Sequence, residues 1–215
     1  MVRRSILVAL AVALFGGVIE PGAGRPVASV PLSQGTFLVA THDLLDPNFA
    51  RTVVLLLQYS TDGAMGIVVN RRTDLKLFEL LEKIEDLEKL EDSVFLGGPV
   101  APEELLLLVR AQEEPEDSVR VLDDVWVSQS LDLLEQLARK RSKKKGAKKK
   151  SKNRTEFRVY AGYAGWAPYQ LDVEVARGDW LVVQADGDTV FSDNPPRVWR
   201  SLAPVEDNPL VTRLR

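Results

Sequence analysis

The chain has 215 residues, 45% of them apolar, which is enough for one well-filled core, so a single domain is the default expectation. It holds no cysteine and one histidine, His42, which excludes disulfides, thiolate nucleophiles, cysteine-ligated zinc and any metal site needing two imidazoles. The net charge of −3 conceals a division: positions 139–154 carry eleven Lys or Arg and no acid, leaving 17 basic residues against 31 acidic ones, a net of −14, in the rest of the chain.

At the N-terminus Arg3-Arg4 precede ten apolar residues, Ile6 to Phe15, and a Gly/Pro-rich stretch leads to the small residues Val27-Ala28-Ser29. Charge, apolar core and small residues follow one another as in a secretory signal, and ten apolar residues are too few to span a bilayer unaided. Residues 1–29 are therefore expected to be a signal peptide or N-terminal anchor, with the protein exported or membrane-associated.

Thr36 to Thr41 reads as a strand, and the Val/Leu run from Thr52 to Gln58 as a second, buried on both faces. Asp62-Gly63 offers a turn into Met65 to Val69, making a hairpin with the preceding strand. From Asp74 the spacing of Leu77, Leu80, Leu81, Ile84 and Leu87, with glutamates between, predicts an amphipathic helix. Strands follow at Val94 to Leu96 and Leu105 to Val109, flanking Gly97-Gly98-Pro99, and another from Val119 to Val127. Ser130 to about Lys140 predicts a helix capped by Ser128 or Ser130. The Lys-rich run of residues 139–154, which includes Lys143, Lys144, Lys145, Lys148, Lys149 and Lys150, has no apolar face and is expected to be a solvated loop. Phe157 to Tyr160 resumes as a strand, then a short helix near Gln170 to Ala176, a strand at Trp180 to Gln184 and a last helix at Pro196 to Leu202. This mixed order with hairpin neighbours predicts an α+β fold.

Within that pattern Tyr160-Ala161-Gly162-Tyr163-Ala164-Gly165-Trp166 alternates small residues with three aromatics. Glycine permits close approach of another backbone or a ligand, and the aromatics supply packing area around it. Asp62-Gly63-Ala64-Met65-Gly66, Gly97-Gly98-Pro99, Asp46-Pro47-Asn48-Phe49 with Arg51-Thr52-Val53, Asn70, and Gln170-Leu171 with Trp180 accompany it. Together these segments resemble the YqgE/AlgH family, over one domain spanning residues 34–207. The resemblance implies a bent mixed sheet, partly closed into a barrel and surrounded by helices. It also implies a cytoplasmic location and a role as a transcriptional regulator, with no reaction attached.

Three sets of residues are candidates for function. Arg51, Asn70, Tyr160, Tyr163 and Trp166 would form one binding pocket if they converge. The structural alternative has Asp46 fixing a turn at Pro47, Phe49 plugging the core, and Arg51 pairing with a carboxylate or backbone carbonyls. Asp186-Gly187-Asp188-Thr189, after an apolar strand, resembles a magnesium-dependent phosphotransfer motif, in which one carboxylate attacks phosphorus and the other shuttles a proton. Only 26 residues follow, so a polar turn is the competing reading. His42, beside Asp43 and Asp46, is a conceivable general base. Ser192-Asp193-Asn194 lacks the partner motifs of serine acyl-transfer enzymes and reads as a turn. The Lys-rich run suits an anionic surface, bound without specificity and weakened by salt; no specific nucleic-acid motif or cofactor fingerprint is present. The expected role is binding or regulation through an unidentified protein partner, with no cofactor, metal or catalytic residue assigned.

Overall fold

The structure, a computed structural model, describes residues 30–143 and 155–203. The expected leader, residues 1–29, lies outside the described residues, as do Lys144, Lys145, Lys148, Lys149 and Lys150. No helix among the described residues is long and apolar enough to cross a membrane.

The Val/Leu runs build one half of a curled sheet from β1 (Thr36–Ala40), β2 (Val53–Ser60), β3 (Gly63–Val68) and β10 (Trp180–Gln184). The other half comprises β4 (Arg72–Lys76), β5 (Ser93–Leu96), β6 (Val100–Arg110), β7 (Ser118–Arg120), β8 (Val125–Ser128) and β9 (Glu156–Trp166). The strand order is β10-β1-β2-β3-β9-β6-β8-β7, with β4 joined through β5. All pairs are antiparallel except β5 with β9. The sheet curls into a half-barrel. Its concave face gathers Phe37, Leu55, Ile67, Leu108 and Tyr160 and is plugged by Val198 and Trp199 of α5 (Pro195–Leu202). The Trp199 indole N–H donates to the Ala40 carbonyl at 2.7 Å, so the plug also satisfies its buried polar atom.

Two helices cover the outside. α2 (Leu131–Lys143) lays Leu133, Leu134 and Leu137 over Leu107, Val109 and Phe157, while α3 (Gln170–Arg177) sets Leu171 against Leu38, Val54 and Trp180. The first five residues of β2 are buried because odd positions face the concave core and even ones lie under α3. This is the α+β half-barrel that the resemblance implies.

Three local readings are corrected. The stretch expected as one amphipathic helix from Asp74 is broken: Arg72–Lys76 is β4, α1 (Leu77–Leu80) is a single turn, and Glu85–Leu87 is a 3-10 turn. Its apolar residues recur every three positions, and the N–H groups of Ile84, Leu87 and Leu90 each donate to the carbonyl three residues back. That closes successive 3-10-type turns in place of an α-helix. The strand expected from Val119 to Val127 is the β7–β8 hairpin, folded back through Val121 to Asp124. Finally, α2 continues through Lys143, so residues 139–143 are helical and not part of a loop. Arg139 pairs with Glu135 and Asp86, and Arg141 pairs with Asp92 and lies over the Phe157 ring.

The glycines explain how β9 serves three partners. Gly162 has φ 69°, and a Cβ there would sit 2.6 Å from the Gly98 carbonyl oxygen. A Cβ on Gly98 would in turn meet the Tyr163 carbonyl carbon at 2.1 Å. The chain leaving β5 crosses directly over β9 at this point, and only glycines let the two backbones touch. Gly165 plays no such part: it is exposed, and its nearest neighbour is the Tyr163 ring at 3.5 Å.

Candidate functional site

The five residues first grouped as a pocket do not meet in one place. Asn70 is buried and clamps backbone, its amide donating to the Arg51 carbonyl at 3.0 Å and accepting from the Val53 N–H at 2.9 Å. Arg51 is thus beside Asn70, but its own side chain is exposed, 5.9 Å from the Trp199 ring, on a residue with φ 57°. Tyr160 and Tyr163 belong to the concave core. Trp166 lies on the opposite face, donating to Glu174 together with Trp180, each at 2.9 Å.

The Asp46 segment behaves as the structural reading expects. The Asp46 carboxylate accepts from the Asn48 N–H at 2.8 Å, closing the turn at Pro47, and Phe49 packs on Trp166 and Trp180. Arg51 is corrected, however: the guanidinium that holds the carbonyls of Pro47, Asn48 and Ala50 belongs to Arg71. His42 is exposed, with its ring edge-on to Trp199 at 4.9 Å. Ser192 accepts from the Asn194 N–H and forms the turn into α5, as the sequence suggests.

Among the described residues the half-barrel does not close by strand pairing. Between its ends, β7 on one side and β10 with β1 on the other, runs a seam. At one point the Gln34 amide donates to the Arg120 carbonyl at 2.7 Å, and Gly35, with φ 78°, approaches the Val121 carbonyl so closely that a Cβ would lie 2.8 Å from its oxygen. Beside this contact opens a cavity of about 660 Å³. Arg120, Asp123 and Asp124 line it from one side, and Gln34, Gln184 and the Asp186-Gly187-Asp188 segment from the other.

Arg110, at the end of β6, bridges the two sides, donating to Asp124 at 2.6 Å and to Asp188 at 2.7 Å. Burial works against its charge, but the bonds to Asp188 and Asp124 outweigh it and raise the guanidinium pKa. Asp186 is the N-cap of α4 (Gly187–Val190): one carboxylate oxygen accepts from the Thr189 N–H and the other from its hydroxyl, both at 2.8 Å. The expected polar turn is therefore a capped helical turn. Arg120 lines the cavity, and its guanidinium stacks over the Trp126 ring at 4.6 Å.

Arg71, Arg110, Asp124 and Glu174 escaped the sequence reading. The Arg110 partners are 14 and 78 residues away, so no local spacing marks them. Arg71 directly follows Asn70, and that adjacency was the one available signal.

The curled half-barrel with outer helices and an α-helical plug defines the class of domain. Solved structures share it: the AlgH protein of Pseudomonas aeruginosa matches with a TM-score of 0.62 at 30% identity, covering 80% of this chain and 88% of that one. A Corynebacterium diphtheriae protein matches in fold with a TM-score of 0.61 at 22% identity, covering 80% and 86%. The model of the AlgH-like family matches residues 37–205, and the chain belongs to that family. Relatives include UPF0301 proteins of Idiomarina loihiensis, 34% identical over 172 residues (78% of this chain and 87% of the relative), and of Streptomyces avermitilis, 35% identical over 177 residues (82% and 88%). These names designate a family and state no reaction, so membership carries the fold and not a chemistry.

Proposed function

We propose that the chain acts by binding and not by catalysis, in a regulatory role exercised through a protein or small-molecule partner at the seam. One observation carries this reading: Asp186, the acid in the attacking position of the phosphotransfer-like motif, is spent on architecture. Asp186 has both oxygens on Thr189, and Asp188 is held by Arg110, while the cavity beside them stays open. A nucleophilic carboxylate needs a free oxygen aimed at its substrate, and capping takes that freedom from Asp186. The test has two arms. Magnesium-dependent turnover of phosphate esters that is lost in Asp186→Asn overturns the reading. Capture of a partner from the native compartment that is lost in Arg120→Gln supports it.

The exposed end of α2 favours a second reading, an exported or membrane-tethered accessory protein that touches an anionic surface. Arg139, Lys140 and Lys143 close the helix and lead into the Lys-rich run. Salt-sensitive binding to anionic vesicles, abolished by deleting residues 144–154, supports it. Intact-mass analysis of the protein made in its own host tests export, and a full-length product beginning at Met1 in the cytoplasm speaks for the location expected of the family.

A further inference from the structure

We propose that the cleft where β5 splays from β9 docks the C-terminal end of a partner protein. The end is taken as an extended strand, with its carboxylate at Arg158 and Arg72 and a basic side chain two residues ahead of it at Glu156. The proposal goes beyond the seam reading, because the cleft shares no lining residue with the seam cavity.

The cleft follows from the register. β5 and β9 run parallel but are paired only at Phe95 with Tyr160 and at Leu96 with Ala161. Before these pairs the strands part around a cavity of about 580 Å³, with residues 89–93 along one wall, residues 156–159 along the other and Phe95 at the closed end. The Gly97 N–H donates to the Ala161 carbonyl, so the odd-numbered residues of β9 turn their main-chain groups toward β5. Phe157 therefore presents its N–H and C=O to the cleft, and no strand of the described residues stands opposite them. Open main-chain groups of this kind are a template on which a peptide adds as a strand.

The two ends of the cleft differ in charge. Arg158 shares a sheet face with Tyr160, and its guanidinium lies 4.7 Å from the Phe95 ring and 5.6 Å from the Phe191 ring, both of which line the closed end. It spends two of its five N–H groups, on the carbonyls of Val190 and Ser192, and no carboxylate of the described residues pairs with it. Arg72 stands opposite Phe95 in the β4–β5 ladder, so it rises from the same face, and it too is unpaired among the described residues. Asp193 also lines the cavity, but it is exposed and makes no ion pair with either arginine. Arg141 and Asp92 pair with each other. Toward the open end lie Glu91 and Glu156, the latter two residues, or about 7 Å, before Arg158, and neither carboxylate has a partner among the described residues.

A strand that ends at Arg158 sets its carboxylate on a half-buried guanidinium that only neutral carbonyls now meet, which a mid-chain peptide bond cannot do. A lysine or arginine two residues ahead answers Glu156. Side chains turned to the outer face meet Leu77, Leu90 and Phe157, which are buried and apolar.

Fluorescence anisotropy with the full chain tests this, using labelled tetrapeptides of glycine and lysine followed by every pair of residues, each as free acid and as C-terminal amide. The expected result is a subset of free acids that bind, weakened about tenfold or more by amidation, by Arg72→Gln and by glutamate in place of the peptide lysine. Glu156→Gln should abolish the preference for lysine. The side chains of Arg72 and Glu156 hold no described partner, so both variants should keep the parent melting temperature. Arg120→Gln should leave binding unchanged, which separates this site from the seam. A bound peptide should also slow hydrogen exchange of the Phe157 N–H. No binding by any free acid, amides that bind as well, or binding without protection of Phe157 overturns the proposal. Acetate that binds in an Arg72-dependent manner while no tetrapeptide does would reduce the cleft to a small-anion site and overturn the peptide, leaving the seam reading untouched.

Discussion

Asn70 holds Arg51 by the backbone and not by the side chain: the Asn70 amide spans from the Arg51 carbonyl to the Val53 N–H, pinning the entrance to β2. Both contacts sit at a buried side chain, so Asn70→Ala leaves a carbonyl and an N–H without partners. The expected cost is about 2 kcal/mol. Urea denaturation measures it. Arg51→Ala, which touches neither contact, should fall within about 0.5 kcal/mol of the parent.

Gly162 and Gly165 look alike in sequence and should behave differently. Gly162→Ala places a Cβ against the carbonyl oxygens of Gly98 and Val100 at a φ of 69°, so either β9 or the crossing strand must move. The expected loss is about 3 kcal/mol. Gly165→Ala meets only a ring edge at ordinary contact distance and should cost less than about 0.5 kcal/mol. Equal tolerance of the two substitutions in chemical denaturation would contradict the crossing as the reason for Gly162.

How much could be read beforehand follows from the range of each interaction. The β2–β3 hairpin and α3 were legible because period and turn residues act within a few positions. The segment after Asp74 misled because spacings of three and four suit both an α-helix and successive 3-10 turns, and pairing of β4 with β5 twenty residues on decided between them. Asp186 and Asp188 were visible as a motif. Their roles were not, since Arg110 reaches Asp188 from 78 residues away. The five-residue pocket failed to assemble for a related reason: the left-handed residue Gly162 lies between Tyr160 and Trp166, and the two aromatics end on opposite faces.

At the seam, stability should separate the cap from the bridge. Asp186→Ala removes the α4 cap and should cost about 1 kcal/mol, while Asp186→Asn keeps an acceptor and should cost less than about 0.5 kcal/mol. Asp188→Ala should change stability by about 0.5 kcal/mol or less, because that side chain is 87% exposed and its ion pair is screened. A double-mutant cycle should find stronger coupling of Arg110 to Asp124, where both side chains are about a quarter exposed, than to Asp188.

Tyr160 should govern the alkaline limit of the fold. Its side chain is fully buried, and its hydroxyl lacks a well-formed hydrogen bond among the described residues. Burial pushes its pKa up to about 12, although the Arg158 guanidinium nearby opposes the shift. An unfolded tyrosine ionises near pH 10. With the folded value above the unfolded one, the contribution of this phenol to stability is complete below about pH 10 and falls as the pH rises toward 12. Tyrosinate absorbance followed during alkaline titration should therefore show one of the four tyrosines ionising together with the loss of far-ultraviolet dichroism. Tyr160→Phe keeps the ring packing against Phe95 and removes both the titrating group and the unsatisfied hydroxyl. It should move the alkaline unfolding midpoint upward and leave stability at neutral pH within about 1 kcal/mol of the parent. If instead Tyr160 ionises with the fold intact, or the Phe variant unfolds at the same alkaline pH, then burial of this phenol does not set the limit.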